Sequence, residues 1–329
     1  MFQLNANEPQ ALAQYLKQRK WLSTPENIKS VSIPGEGNMN YVLRIDTGER
    51  TLIVKQSRDY VEKYPHVAAP ANRAVIEGIF YQTISTEITV QKLMPALIGL
   101  DKQNHILVLE DLGMASDFTF LYHLNKKLNL EETRDLVHYL NKLHQHFQRP
   151  KGSRKIANLK MRKLNHEHIF HYPFLGENGF DLDTVQTGLQ AVAMKYKKDA
   201  MLKKSIAALG KVYLSSGDTL LHGDFYPGSW LKTEQGIKII DPEFCFYGCK
   251  EFDLAVMIAH LYLTNHEEST VESVLNDYSL KTALDMVLLN QFVGVEIMRR
   301  LIGLAQLPLK VDLVFRQELL DKAYKFLVK

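Results

Sequence analysis

The chain has 329 residues, of which 46% are hydrophobic and 23% are charged, and its net charge is +3. This composition is typical of a soluble globular protein of more than one domain, and the charge argues neither for nor against nucleic acid. No apolar stretch approaches the roughly 20 residues that a membrane span needs, and the first residues lack a signal-peptide pattern. We therefore expect a cytoplasmic protein without nucleic-acid or membrane partners.

The two cysteines, Cys245 and Cys249, form a lone Cys-x-x-x-Cys pattern. A zinc site of this kind needs a second pair of ligands, which the sequence does not supply. We interpret both residues as structural thiols in a reducing compartment.

The first part of the chain predicts one helix followed by strands. Hydrophobic patterns predict a helix over 7–22 and strands over 31–33, 41–45 and 51–55. The loop after the first strand contains Gly35 and Gly37, and such a loop lets the backbone approach phosphate groups. It is not a P-loop, because the Gly-Lys-Ser/Thr ending is missing. An ordinary hairpin loop is the alternative interpretation.

Lys55 closes the strand after this loop, where kinases place the lysine that contacts the α- and β-phosphates. The next predicted helix spans about 70–84, and Glu77 on it is the candidate partner of Lys55. Two alternatives stay open at this point. Glu62 on the intervening loop competes for Lys55, and Glu77 can instead form a surface i,i+4 pair with Arg73.

Further strands are predicted near 89–94, 96–100 and 105–109. The chain then changes from strand-rich to helix-rich, so we place a domain boundary after residue 111. In a bilobal kinase this segment, with Glu110 and Leu112, is the hinge whose backbone groups bind adenine. A plain domain linker is the other interpretation, and the two are compatible.

The rest of the chain is predicted to be mostly helical. Helical patterns cover 129–148, 184–215, 269–305 and 311–328. Residues 149–155 are predicted to form a loop. The stretch 166–183 is predicted to be irregular and to lie over a site.

The central motif is His222-Gly223-Asp224, followed by Ser229 and a predicted hairpin that ends before Asp241 and Glu243. The two strands of the hairpin are antiparallel because their connection is too short for a crossover. We therefore expect Asp224, Ser229, Asp241 and Glu243 to lie in one neighbourhood. Clustered carboxylates raise one another's pKa, and a hard cation such as Mg²⁺ removes that conflict.

The same spacing matches the catalytic loop of kinases, His-x-Asp-x-x-x-x-Asn followed by a second Asp after a hairpin. Asp224 is then the candidate base, Ser229 occupies the Asn position, and Asp241 is the candidate metal ligand with Glu243 in support. The alternative is a surface hairpin with incidental acids.

Two later features concern the same site. Asp253 precedes an apolar helix, 254–263, where it acts as an N-cap, or accepts backbone N–H groups of the catalytic loop, or does both. Arg299 and Arg300 are adjacent on a helix and point about 100° apart, so at least one needs an anionic partner. A structural salt bridge and a ligand role are equally compatible with the sequence.

With these residues in place, the chain resembles the aminoglycoside phosphotransferase and choline kinase superfamily. The resemblance is carried by five stretches: 35–42, 54–56, 222–229, 240–248 and 299–305. The Asp-Pro-Glu-Phe sequence, the serine in place of asparagine and the paired arginines narrow it to the methylthioribose kinase branch.

The resemblance implies an α+β, bilobal protein-kinase-like fold. The N-terminal lobe, 1–111, would hold ATP with an antiparallel sheet plus a helix, and the larger, mostly helical C-terminal lobe, 112–329, would carry catalysis and substrate. The residues expected to bind ATP are Gly35, Gly37, Asn38, Asn40, Lys55, Glu77, Glu110 and Leu112.

The resemblance further implies transfer of the ATP γ-phosphate to the anomeric hydroxyl of 5-methylthioribose, in methionine salvage. Asp224 would be the base, while Asp241 and Glu243 would hold Mg²⁺. Arg299 and Arg300 would bind the sugar and offset charge on the transferred phosphate.

The chain departs from the family pattern at Phe225-Tyr226-Pro227, where Leu-His-Thr is usual, so Tyr226 is a candidate acceptor-binding residue. The chain is also shorter than typical members. Alternatives are therefore a related enzyme that acts on another small hydroxyl compound and a non-catalytic nucleotide-binding pseudokinase. A homodimer stays open.

Overall fold

The computed structural model describes residues 2–35, 39–123, 126–149, 156–279 and 283–328. The chain forms two compact units. Unit 1 comprises Met1–Ser116 and Leu231–Cys245, and unit 2 comprises Asp117–Trp230 and Phe246–Lys329. The sequence predicts a single boundary after residue 111. It does not predict that the segment 231–245 returns to the first unit.

A five-stranded antiparallel sheet forms the centre of unit 1, with strand order β1-β2-β3-β7-β6. Labels follow the chain order. The helices and strands of the first 110 residues are α1 Pro9–Gln18, β1 Ser30–Ser32, β2 Tyr41–Asp46, β3 Thr51–Gln56, β4 Tyr60–Val61, β5 Tyr64–Ala68, α2 Arg73–Ile84, α3 Ile88–Gln91, β6 Leu97–Asp101 and β7 Ile106–Glu110. The predicted helix and strands of this region are confirmed except between 89 and 94.

One face of this sheet packs against α1. Alternate residues of β2 and β3 point to this face, because side chains of a strand alternate between its two sides. The core contains Leu43, Ile45, Leu52 and Val54, together with Leu12 of α1, and each is at most 1% exposed. Alternation along the strands therefore produces this core directly.

Helix α2 packs against β6 and β7. Gly78 permits the close approach, because a Cβ atom there would lie 2.6 Å from the side chain of Leu100 on β6. The stretch 89–94, predicted as a strand, instead begins with the short helix α3. Its N-cap Glu87 accepts a hydrogen bond from the backbone N–H of Thr89 at 3.2 Å. The β-branched residues suggested a strand, and the capped turn overrides that preference.

The predicted hairpin is present, with β10 Trp230–Thr233 and β11 Gly236–Ile239. A third short strand, β8 Ser116–Asp117, completes this sheet. The backbone N–H of Ile239 donates to the carbonyl of Leu93 at 2.8 Å, which fixes the end of the hairpin in unit 1. A 3₁₀ turn, Pro242–Phe244, follows and packs against α2.

Unit 2 is mostly helical. Its helices and strands are α4 Leu130–His146, α5 Leu159–His166, α6 Leu189–Lys197, α7 Ala200–Leu214, β9 Thr219–Leu221, β12 Phe246–Gly248, α8 Glu251–Leu263, α9 Glu268–Ser279, α10 Met286–Ile302 and α11 Leu313–Val328. Every residue of α8 is buried, and α10 packs against both α8 and α11. A helix that is apolar on all sides lies at the centre of such a bundle.

One prediction for unit 2 needs correction. The predicted helix 269–305 is two helices, α9 and α10, because Asp285 caps a new helix by accepting hydrogen bonds from Val287 and Leu288. The predicted irregular segment 166–183 contains a π-helical turn, Glu167–His171, and two 3₁₀ turns. Of the predicted loop 149–155, residues 150–155 lie outside the described residues.

Within the described ranges, none of the helices is long and apolar enough to cross a bilayer.

Candidate active site

Unit 1 contains a group of charges that we call the Lys55 cluster, consisting of the buried Lys55 and Glu77 and the partly exposed Asp241. Lys55 Nζ donates to Glu77 Oε1 at 2.9 Å and also to Asp241 Oδ1. The predicted pairing of Lys55 with Glu77 is present. The two alternatives are not, because Glu62 pairs with Arg58 at 3.1 Å and Arg73 binds other partners.

The pKa values in this cluster follow from burial and from shared charge. Burial alone would lower the pKa of Lys55, but Asp241 and Glu77 raise it above its usual value. Burial raises the pKa of Glu77, and Asp241 adds to this effect, because one ammonium serves two carboxylates. Lys55 therefore stays charged, and the negative charge around it is only partly balanced.

Arg73 on α2 and Glu243 in the 3₁₀ turn Pro242–Phe244 form a second charged contact in unit 1. Asn40 Nδ2 donates to Glu243 Oε2 at 2.9 Å, and Arg73 Nε lies 3.6 Å from that oxygen. Arg73 is fully buried and also donates to four backbone carbonyls, including that of Met39. Burial and the charge of Glu77 raise the pKa of Glu243 to about 8. Helix α2 thus carries a cation and an anion one turn apart: Arg73 contacts the Glu243 carboxylate, and Glu77 binds the Lys55 ammonium.

The remaining predicted nucleotide-binding residues lie in the glycine-containing loop and after β7. Gly35 has φ +70° and is exposed, as a turn glycine is expected to be. Gly37 and Asn38 lie outside the described residues. Glu110 accepts a hydrogen bond from the backbone N–H of Ala96 at 3.0 Å, and Leu112 is half-buried. No described hydrogen bond joins Gly35, Glu110 or Leu112 to the Lys55 cluster.

In unit 2, Asp253 fixes the loop that carries Asp224. Its two carboxylate oxygens accept hydrogen bonds from the backbone N–H groups of His222 at 2.6 Å and Gly223 at 2.9 Å. His144 Nε2 lies 3.2 Å from Asp253 Oδ2. The interpretation that Asp253 accepts backbone N–H groups of this loop is confirmed. The N-cap interpretation is wrong, because α8 begins at Glu251 with Lys250 as its cap.

Ser229 stabilises the same loop from its other end. Its hydroxyl donates to the backbone carbonyl of Asp224 at 2.8 Å, and its side chain is buried. The backbone N–H of Tyr226 donates to this carbonyl as well, at 3.1 Å. In the position where kinases have an asparagine, this chain therefore has a serine that holds the loop.

Arg299 and Arg300 both lie beside Asp224. Their Nη2 atoms are 3.5 Å and 3.8 Å from Asp224 Oδ1. Burial raises the pKa of Asp224, while Arg300 and then Arg299 lower it. The guanidinium of Arg300 also lies over the ring of Tyr226, 5.1 Å from its centroid. The predicted catalytic and substrate-binding residues of unit 2 thus meet around one carboxylate.

The sequence analysis missed Glu296, which is 1% exposed on α10. It accepts hydrogen bonds from Nε of Arg299 and, at 2.9 Å, from Nε of Arg300. The signal was present in the spacing, because residues three and four apart on a helix are neighbours. Glu296 is therefore the anionic partner that the buried arginines require.

Asp224 and Ser229 belong to unit 2, whereas Asp241 and Glu243 belong to unit 1. Their convergence on one neighbourhood stays a prediction. Among the described residues there is no group of three or more metal-ligating side chains.

The sequence pattern of the phosphotransferase enzyme family matches residues 30–286. This range includes Lys55, Asp224, Asp241 and Asp253, whereas Arg299 and Arg300 lie beyond it.

A methylthioribose kinase from Exiguobacterium sibiricum is 29% identical over 248 residues, which are 71% of this chain and 61% of the relative. The chain thus spans less than two thirds of the length of this relative. A methylthioribose kinase from Bacillus cereus is 28% identical over 268 residues, or 76% of this chain and 64% of its own length.

Among solved structures, the choline kinase LicA from Streptococcus pneumoniae has a TM-score of 0.53 at 16% identity, covering 96% of this chain and 98% of its own. Spectinomycin phosphotransferase APH(9)-Ia, solved with ADP and spectinomycin, has a TM-score of 0.51 at 16% identity, covering 97% and 93%. These similarities confirm the predicted α+β, kinase-like fold. Since the family pattern covers more than half of its residues, the chain belongs to the phosphotransferase enzyme family.

Proposed function

We propose that this protein is an ATP-dependent kinase that transfers the γ-phosphate to a hydroxyl group of a small molecule. The observation that carries the proposal is the environment of Asp224. Its loop is fixed by Asp253 through two backbone hydrogen bonds, and two arginines lie within 4 Å of its carboxylate. A fixed carboxylate beside two guanidinium groups suits a base whose product carries new negative charge.

In this proposal, Asp224 accepts the proton of the acceptor hydroxyl as that oxygen attacks the γ-phosphorus. Burial raises its pKa, which strengthens it as a base, while the charges of Arg300 and then Arg299 oppose this shift. The two arginines then offset charge on the transferred phosphate and orient the acceptor, and Tyr226 contacts the acceptor.

Unit 1 supplies the nucleotide-binding residues. Lys55, held by Glu77, would bind ATP phosphates together with Asn40 and the loop that contains Gly35, Gly37 and Asn38. The backbone at Glu110 and Leu112 binds adenine. Support comes from the buried, charged state of Lys55 and from the solved spectinomycin phosphotransferase APH(9)-Ia, which binds ADP.

The residues present fit a magnesium ion. The Asp241 side chain is 45% exposed, and Mg²⁺ usually binds one or two carboxylates together with phosphate oxygens and water. Glu243 is the second candidate, with its Oε2 atom already bound by Asn40. When bound, the ion would neutralise charge on the β- and γ-phosphates.

We further propose that the acceptor is the anomeric hydroxyl of 5-methylthioribose. The named relatives support this acceptor, as do the paired arginines at the Asp224 carboxylate. Tyr226, which lies where the chain departs from the family pattern, favours a second candidate, a kinase of the same mechanism that acts on another small hydroxyl compound.

The test is an ADP-release assay with Mg-ATP and a panel of 5-methylthioribose, ribose, other pentoses, choline and an aminoglycoside. Turnover on methylthioribose alone supports the full proposal. Turnover on another compound keeps the kinase and changes the acceptor. ATP binding without turnover on any compound contradicts this acceptor set and favours the non-catalytic alternative.

A further inference from the structure

We propose that Glu296 is a positioning residue for Asp224: it holds Arg299 and Arg300 by one edge, so that their other edge faces the Asp224 carboxylate. The proposal deepens the proposed function, on which it rests for the catalytic use of Asp224. The contacts themselves belong to unit 2 and do not depend on the identity of the acceptor.

The geometry of α10 makes one carboxylate serve both arginines. Glu296 precedes Arg299 by three residues and Arg300 by four, so both side chains lie one helical turn away. Its Oε2 accepts from Nε of Arg299 and its Oε1 accepts from Nε of Arg300. The Nη2 atoms of the two guanidinium groups are left to face Asp224 Oδ1.

The charges of this group are balanced. Two guanidinium groups face two carboxylates, and all four side chains are at least three-quarters buried. Without Glu296, two adjacent cations would repel each other and would have Asp224 as their only carboxylate partner in the group. Asp224 would then form a tighter ion pair with the two guanidinium groups. Its carboxylate would have to break this ion pair before it could accept a proton.

A neutral histidine fixes Glu296 from its other side. His260 Nε2 lies 3.3 Å from Glu296 Oε1, and the Tyr122 hydroxyl lies 2.9 Å from His260 Nδ1. Burial lowers the pKa of His260 to about 4, so the ring is neutral at working pH. Its Nε2–H therefore donates to Glu296 while Nδ1 accepts from Tyr122, and the contact adds orientation without adding charge.

Several groups act on the charge of Asp224 from the elements around it. They are Arg299, Arg300 and Glu296 on α10, His222 on its own loop, Tyr122 on the 3₁₀ turn Phe118–Tyr122, and Tyr213 on α7. Among these described groups, Glu296 is the carboxylate whose negative charge raises the pKa of Asp224. Removing its charge should therefore lower the pKa of Asp224.

The experiment compares three variants by two readouts. Glu296→Gln removes the charge and leaves one acceptor oxygen, Glu296→Asp keeps the charge but shortens the reach, and Glu251→Gln is the matched control. Glu251 is a buried carboxylate on α8 that accepts a hydrogen bond from the Asp285 N–H at 3.1 Å. The readouts are the ¹³C-carboxyl NMR titration of Asp224, assigned by comparison with Asp224→Asn, and kcat with KM for ATP and acceptor.

We expect the Asp224 titration to move to lower pH in Glu296→Gln only. We expect kcat to fall about 10²-fold in this variant, with an unchanged KM for ATP, because misplaced groups affect the chemical step. Glu296→Asp should lose kcat while its Asp224 titration stays in place, and Glu251→Gln should change neither.

An Asp224 titration that does not move in folded Glu296→Gln overturns the proposal. Equal kcat in Glu296→Gln and wild type overturns it as well. A titration that moves in a protein without turnover on any compound supports the role of Glu296 and counts against the proposed function instead, so the two failures are distinguishable.

Discussion

The two units hold their reactive acids in similar ways but with different charge balance. In each, a buried glutamate on a helix binds cations that reach an aspartate: Glu77 through Lys55 to Asp241, and Glu296 through two arginines to Asp224. In unit 1, Lys55 and Arg73 face three carboxylates, whereas in unit 2 two arginines face two.

The difference in charge balance indicates which ligands each unit can accept. One excess negative charge among buried groups raises carboxylate pKa values, as it does for Glu77 and Glu243, and a divalent cation relieves it. The balanced group in unit 2 needs no further ion, and there the pKa of Glu296 lies well below its usual value: burial opposes this, but the charges of Arg299 and Arg300 outweigh it. Unit 1 thus suits a metal–nucleotide complex, and unit 2 suits an uncharged hydroxyl.

The largest effect is expected from the base. Asp224→Ala should lower kcat by about 10²- to 10⁴-fold and leave the Kd for ATP nearly unchanged, because a positioned base acts on the chemical step. Steady-state kinetics and nucleotide titration measure the two quantities. Asp312→Asn, at an exposed aspartate that caps α11, is the control and should behave as wild type. Unchanged turnover in Asp224→Ala would refute its role.

Breaking the Lys55 cluster should be the next largest effect. Lys55→Met leaves Glu77 buried without its cation, which should cost about 3–5 kcal/mol of unfolding free energy. Adding Glu77→Leu should restore part of this loss, since the uncompensated carboxylate is gone.

The two tryptophans allow the unfolding of each unit to be followed separately by fluorescence. Trp21 lies in unit 1 and Trp230 in unit 2, so Trp230→Phe leaves a fluorescent reporter of unit 1 alone. Urea unfolding followed by Trp21 fluorescence should show a lower free energy of unfolding in Lys55→Met and a partial recovery in the double variant with Glu77→Leu. A double variant as unstable as Lys55→Met would contradict the ion-pair argument.

Unit 2 should be the more sensitive to acid. Burial lowers the pKa of His260 and of His266 to about 4, below the usual value of about 6.5. The unfolded chain therefore takes up these protons first, and stability falls as pH drops from about 6.5 to about 4. His266→Gln should reduce this dependence in urea unfolding followed at Trp230. Equal pH dependence in the variant and wild type would count against it.

The smallest effect concerns the ring beneath Arg300. Tyr226→Ala removes a cation–π contact of about 0.5–2 kcal/mol, so kcat/KM for the acceptor should fall about 2- to 30-fold. Tyr226→Phe keeps the ring and should stay near wild type. If both variants lose activity equally, the hydroxyl rather than the ring is what the acceptor requires.

Much of the fold followed from the sequence where side chains alternate or recur with a helical period. The strands of unit 1, the hairpin before Asp241 and the long helices were predicted for this reason. Where local preference and context compete, prediction failed: Thr89 and Val90 favour a strand, but the Glu87 cap makes a helical turn. The prediction of one continuous helix over 269–305 is wrong because it misses the N-cap at Asp285, where a new helix begins.

The site was predictable where a motif fixes the spacing. The pairing of Lys55 with Glu77 and the backbone partners of Asp253 are predicted correctly. The contact of Arg73 with Glu243, far away in sequence, is not predicted. No local pattern reveals such a contact. Glu296 differs, because its place one turn before Arg299 and Arg300 could have been recognised.

The return of 231–245 to unit 1 has a consequence for biosynthesis. The chain passes between the units three times, so unit 1 is not finished when the ribosome has made its first 116 residues. Until Glu243 is translated, Arg73 lacks its carboxylate, and Lys55 lacks Asp241. Domains usually fold in the order of their synthesis. Here the five strands of the N-terminal sheet are made early, but unit 1 is complete only once 231–245 has been added, and a chain truncated before Cys245 should be a chaperone or protease substrate.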